Sequence, residues 1–189
     1  MIFGFITGSK TSDPRVHIQE KKSTLSPDRK ILRSIHCNFA QNPIQMSSEK
    51  FDSGNAPKPV GLYPHARKVG NLLFLSGVGP RTKGSDGAAG NVPGLKLSAM
   101  GNFDEFDFEA QCHSVFQNVR AILEDSGAKW EDLVDVTVFL VDMKRDFKTF
   151  NRIYTEYFKD NQPCRTTVEI NALPTPIAIE LKCIAALSE

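Results

Sequence analysis

The residue pattern predicts a single α+β domain with two helices packed on one face of a sheet. Three observations carry this. Two stretches repeat apolar residues at helical spacing, several short β-branched runs alternate with period two, and the elements follow the order β-β-loop-α-β-α-β-β. The first helix is expected from about Phe108 to Asp125. There Val115, Val119 and Ile122, with Phe116 and Leu123, form an i, i+3/i+4, i+7 stripe, and Gly127 supplies a stop. The second is expected from about Arg145 to Lys159, with Phe147, Phe150, Ile153, Tyr154, Tyr157 and Phe158 as a broad aromatic stripe.

The strands follow from alternation and turn chemistry. Ala66–Val69 and Leu72–Gly77 are β-like runs separated by Gly70-Asn71, a two-residue loop suited to a primed hairpin turn. In Leu133–Val141, Val134, Val136, Val138 and Leu140 fall on one face. Cys164–Ile170 and Ile177–Ala186 are the last two strands. Residues 82–108 are Gly-rich and polar and read as a long surface loop or insertion. Residues 1–59 lack a sustained period and are broken by Pro14, Pro27, Pro43, Pro57 and Pro59, so they are expected to be mostly disordered, with the domain at 60–189.

Charge is uneven. The whole chain has a formal net charge of +1, yet residues 1–46 carry seven Lys/Arg against three acids, leaving the remainder at −3. Neither balance argues for nucleic acid or an anionic membrane. Ile31, Leu32, Ile35 and Phe39 lie at helical spacing beside Arg29, Lys30 and Arg33, as in a mitochondrial presequence; Asp13, Glu20 and Asp28 count against one. An upstream extension before an internal start at Met46 is the other reading, with a cytoplasmic protein. Cys37, Cys112, Cys164 and Cys183 show no CxxC spacing or clustered His, so neither zinc nor a disulfide framework is expected, and a reducing compartment fits. No apolar run approaches the roughly 20 residues of a membrane span.

The last two strands hold the chemistry. Two prolines mark the connection Asn171–Pro176 as a turn, and a hairpin pairing Ile170 with Ile177 sets Thr167 opposite Glu180, Arg165 opposite Lys182 and Cys164 opposite Cys183. Arg165, Thr167, Glu169, Ala178, Glu180 and Lys182 then share a face, with Arg165 and Glu180 as diagonal neighbours roughly 7–8 Å apart. On these residues alone the plainer reading is a solvated face whose ion pairs are each worth under about 1 kcal/mol. The other reading is a bidentate carboxylate clamp beside a proton carrier, at a face where a second subunit docks.

Several stretches in order resemble the RidA (YjgF) family of enamine/imine deaminases: Gly61–Ala66, Val69–Gly77, Asp135–Leu140, Asn151–Phe158, Pro163–Val168, and Leu173-Pro174 through Ile179–Lys182. The resemblance spans about Val60 to Ala186. It implies a chorismate-mutase-like mixed sheet, assembled as a homotrimer with clefts between subunits. It further implies that Arg165 holds the substrate carboxylate, that Glu180 activates water, and that Tyr63, Gly77 and Asn151 line the cleft. Where many members have Cys this chain has Thr167, which makes thiol chemistry unnecessary. Segments 63–67, 76–81, 142–147 and 173–178 look most like 2-aminomuconate deaminases of tryptophan or aminophenol catabolism. For that dicarboxylate a second cation is expected, Arg81 or His65.

The implied reaction is hydrolysis of an imine to a 2-oxo acid and ammonia, without metal or organic cofactor. A generalist deaminase of 2-aminoacrylate-type imines is the first alternative. A non-enzymatic trimeric ligand-binding or chaperone-like protein is the second. A nucleolytic role, suggested within the family, gains little from a core at −3.

Overall fold

The computed structural model describes residues 47–84, 91–100 and 103–188. Their elements are β1 (Ser48–Phe51), β2 (Ala66–Val69), β3 (Leu72–Leu75), β4 (Leu95–Leu97), β5 (Phe103–Phe106), α1 (Phe108–Asp125), β6 (Leu133–Leu140), α2 (Met143–Phe158), β7 (Cys164–Glu169) and β8 (Ile179–Ala186). Six strands form one mixed sheet in the order β1-β2-β3-β8-β6-β7, parallel only between β6 and β7, while β4 and β5 pair with each other. The expected two-helix α+β fold is present. Segment Arg29–Ala40, Cys37 and the rest of residues 1–46 lie outside the described residues.

Both helices start on an aspartate. The Asp107 carboxylate accepts the Ala110 N–H at 3.0 Å, and that of Asp142 accepts the Arg145 N–H at 2.9 Å. After α1, the Gly127 N–H donates to the Glu124 carbonyl and the Ala128 N–H to that of Leu123, which closes the helix end. Cys112, Val115, Phe116, Val119, Ile122 and Leu123 of α1 are buried against Leu73 and Leu75 of β3, Val136, Val138 and Leu140 of β6, and Ile179, Leu181 and Cys183 of β8, in one cluster. Phe116 is its hub, with the rings of Trp130, Phe150, Tyr154, Tyr157 and Phe158 centred 4.5–6.5 Å away. Truncating such a ring to alanine typically costs about 3–5 kcal/mol.

The hairpin turn forms as expected. Val69 pairs with Leu72, and Gly70 sits at φ +61°, a conformation that side chains resist. Four expectations need correction. Order begins by Ser48, not Val60: β1 pairs along β2 through backbone bonds, which a polar Ser-Glu-Lys-Phe segment does not advertise. The 82–108 stretch is not only loop, because Leu95 pairs with Phe106 and Leu97 with Phe103. Val134 is 42% exposed instead of sharing the buried face, since the β6–β8 register slips between Leu133 and Asp135.

The fourth correction concerns the last strands. β7 and β8 do not form a hairpin; β6 lies between them. The order β6–α2–β7 is a strand–helix–strand crossover, which sets β7 parallel to β6 on one side and leaves β8 the other. Arg165 is therefore level with Val136 and Cys183, on the helix-covered face, whereas Glu180 is level with Phe139 on the opposite face. Cys164 is exposed and pairs with Asp135, while buried Cys183 pairs with Val136; both thiols are free.

The segment after β1 is tied to the end of α1. The Ser53 hydroxyl donates to Asp125 Oδ2 at 2.6 Å, and Asn55 donates to the same carboxylate from its backbone N–H and its side-chain amide. These bonds hold the Asp125 carboxyl below the usual range. A carboxyl lowered by folding contributes stability that is present above its unfolded pKa and lost as pH falls through the folded one. Asp125→Asn is expected to lower the melting temperature at pH 7 by a few degrees, at about 2–4 °C per kcal/mol. The difference from wild type should shrink toward acid pH, as measured by thermal denaturation across pH 2–7.

Candidate active site

A bulge builds the first part of the site. Phe74 pairs with Ile184, and Val78 and Leu181 exchange N–H···O bonds of 2.8 and 2.9 Å, so four steps on one strand match three on the other. Ser76 and Gly77 absorb the extra residue. A Cβ at Gly77 would stand 2.3 Å from Glu180 Oε1, so the carboxyl packs on bare backbone. Burial pushes the Glu180 carboxyl above its ordinary pKa.

Glu180, Gly77, Tyr63, Arg81, Thr175 and Ile177 border a cleft of about 130 Å³. A chamber of about 30 Å³ lies alongside and shares Tyr63, Gly77 and Arg81. Arg81 is 8% exposed and donates to the Lys58 carbonyl at 2.5 Å. His65 borders the smaller chamber with both ring nitrogens engaged. Nδ1 accepts the Ser53 N–H, and Nε2 donates to the Pro57 carbonyl, each at 3.0 Å. Of the two proposed second cations, only Arg81 borders the larger cleft.

Three polar residues that sequence reasoning passed over hold the cleft's walls. On α1, Gln111 Oε1 accepts the Ala178 N–H at 2.9 Å, the Ser114 hydroxyl donates to the Pro80 carbonyl at 2.7 Å, and Asn118 Nδ2 donates to the Gly79 and Arg81 carbonyls at 2.9 and 2.8 Å. Their i, i+3, i+7 spacing is that of a helix face, and Gln111 and Asn118 are buried. Polar side chains on an otherwise apolar face were the available signal.

The remaining expected residues form a second group. Arg165, on β7 at the sheet edge, donates from one terminal nitrogen to Asn151 Oδ1 at 2.9 Å, with its guanidinium 4.6 Å from the Tyr154 ring centre and 5.6 Å from that of Phe150. The ion pairs among the described residues do not include Arg165. Thr167 lies on the same face, level with Val138. Glu169 and Lys182, expected beside them, are engaged elsewhere: Glu169 accepts the Met143 N–H at 2.6 Å, and Lys182 reaches the Leu75 carbonyl. The diagonal Arg165–Glu180 contact expected within one chain is thus absent. Three residues along the strand separate their levels, about 10 Å, and β6 stands between.

Burial pushes the Cys183 thiol up to about 12 and that of Cys112 higher still. Among the described residues no cluster of His, Cys, Asp and Glu is placed to hold a metal, and no helix is long and apolar enough to cross a membrane.

A family model described as endoribonuclease L-PSP matches residues 53–187. The chain belongs to this family, which its relatives carry under the names RutC and Rid. A RutC family protein of Pyrococcus abyssi is 36% identical over 143 residues, 74% of this chain and 98% of that protein. Reactive Intermediate Deaminase A, chloroplastic, of Arabidopsis thaliana is 37% identical over 152 residues, 79% of this chain and 73% of its own. Among solved structures, the E. coli YjgF gene product has a TM-score of 0.59 at 32% identity, covering 73% of this chain and 98% of its own. E. coli TdcF with bound serine has a TM-score of 0.62 at 26%, covering 74% and 99%.

The bulge at Ser76-Gly77 gives a direct test of Glu180. Its carboxyl should titrate above the ordinary glutamate range in side-chain carbon NMR. Gly77→Ala should push it toward solvent and return the titration to that range, with melting temperature changed by no more than a few degrees.

Proposed function

We propose that the protein is a hydrolytic deaminase of 2-imino and 2-enamino acids, working as a homotrimer in which Glu180 of one copy faces Arg165 of another. The observation that carries this reading is the partly buried Glu180 carboxyl with its raised pKa, bordering a cleft of substrate size. The relative named Reactive Intermediate Deaminase A supports the reaction class, and TdcF with bound serine supports a small amino-acid skeleton as ligand.

The chemistry follows from the two groups. An enamine tautomerises to R–C(=NH)–COO⁻, and the guanidinium of Arg165 takes its carboxylate bidentately, drawing electron density from C2. Glu180 accepts a proton from water as the oxygen bonds to C2 and passes it to the imine nitrogen, giving the carbinolamine. It then takes the hydroxyl proton and delivers it to nitrogen as the C=O bond forms and the C–N bond breaks. The products are R–CO–COO⁻ and NH₃, and proton transfer alone balances the step. A carboxyl whose pKa is raised toward neutrality exchanges protons in both directions more readily than an ordinary one. Tyr63 and Gly77 border the reacting centre, and Asn151 and Thr167 flank the clamp.

Within this class, 2-aminomuconate remains the preferred substrate on one observation, the position of Arg81 on the cleft, where a second carboxylate would meet a second cation. Ammonia release is measured from enzymatically generated 2-aminomuconate and from the imine of 2-aminoacrylate. Arg165→Ala and Glu180→Gln should each lower the rate by about 100-fold or more with sedimentation unchanged. Unaltered rates in both variants rule out this site, and faster turnover of the aminoacrylate-derived imine overturns the 2-aminomuconate preference.

A further inference from the structure

Resting on that reading of Arg165, we infer that Tyr154 is a positioning residue: its ring face sets the plane of the guanidinium that meets the substrate carboxylate. Arg165 is exposed on the last strand of the sheet, where a long side chain ordinarily samples many rotamers. Here three residues of one helix fix it. Phe150, Asn151 and Tyr154 stand at i, i+1 and i+4 of α2. Asn151 takes one terminal nitrogen, and the two rings lie beneath the guanidinium carbon at 5.6 and 4.6 Å. A guanidinium stacked on an aromatic face keeps its in-plane N–H groups available, so the fork stays free to bind a carboxylate along one edge.

The platform is itself rigid. Phe150 is fully buried, and the Tyr154 ring stacks on Phe158 at 4.2 Å with the planes 22° apart. The Tyr154 hydroxyl oxygen is buried and has no hydrogen-bond partner among the described residues. A buried hydroxyl left unpaired opposes stability, so it is the ring, not the phenol, that the fold exploits at this position. Restricting the guanidinium before substrate arrives lowers the ordering cost of binding. The consequence falls on carboxylate affinity more than on the proton-transfer step at Glu180.

Two conservative comparisons and one spectroscopic readout test this. Tyr154→Phe keeps the ring face and should leave KM for the imino acid within about twofold. Tyr154→Leu should raise KM by about tenfold with kcat little changed. In an Arg165→Lys background, Tyr154→Leu should add little, because a compact ammonium does not use the ring as a stacking plane. Independently of catalysis, nitrogen relaxation of the Arg165 Nε–H should show a restricted side chain in the wild type and in Tyr154→Phe, and a mobile one in Tyr154→Leu. If Arg165 is equally ordered in all three folded proteins, Tyr154 has only a packing role and the inference is overturned. An equal KM for Tyr154→Leu and wild type overturns it as well. A wild type that releases no ammonia defeats the deaminase reading instead, and the relaxation result then decides the positioning role alone.

Discussion

Strand β6 stands between the two strands that carry the charged residues of interest, and the rest of the site is arranged around that placement. Because α2 returns the chain from β6 to β7, β7 runs parallel to β6, and β8 is left to pair on its other side. The crossover turns Arg165 toward the helices, where Phe150, Asn151 and Tyr154 receive it, and Glu180 toward the opposite face, where the bulge at Ser76-Gly77 makes room for it. Neither group alone offers both a carboxylate clamp and a proton carrier. A repeated head-to-tail contact that closes into a ring supplies both at every junction, which is why the proposed activity and the proposed homotrimer are one hypothesis.

Within one chain, each half of the site is stabilised by the same features that build the core. The polar stripe of α1, Gln111, Ser114 and Asn118, ties the start of β8 and the 79–81 segment to a helix otherwise buried through Phe116 and its neighbours. Bonds between these side chains and backbone N–H and carbonyl groups satisfy groups that a loop would otherwise leave to water. The cleft wall is thereby as fixed as the helix. On the other side, the aromatic cluster that fastens α2 to α1 also provides the platform for Arg165.

The helices were legible because period and punctuation agreed: the bounds of α1 fall at Phe108 and Asp125 as the stripe and Gly127 imply, and those of α2 within two residues. Alternation also identified β7 and β8. It could not say which strand lies beside which, because a hairpin and a crossover leave the same period-two pattern; the helix between β6 and β7 was the overlooked sign of parallel pairing. Val134 was misplaced because a bulge shifts register without altering composition. β1 escaped notice because an edge strand held by backbone bonds needs no apolar face. For the site, Tyr63, Gly77, Arg81 and Glu180 do come together at one cleft, and Arg165 and Thr167 share one sheet edge, with Asn151 of α2 bonded to Arg165. The role of Tyr154 was hidden inside a stripe that reads as core.

The central claim is that one working site draws Arg165 and Glu180 from different copies. Mixing two inactive variants tests it most directly: Arg165→Ala and Glu180→Gln proteins, co-expressed or refolded together, form mixed assemblies. If the pair comes from different copies, random mixing joins an intact Arg165 to an intact Glu180 at about a quarter of the junctions, and ammonia release returns to about that fraction of wild type. A mixture no more active than either variant alone, with mixed assemblies verified by differential tagging, would contradict the account.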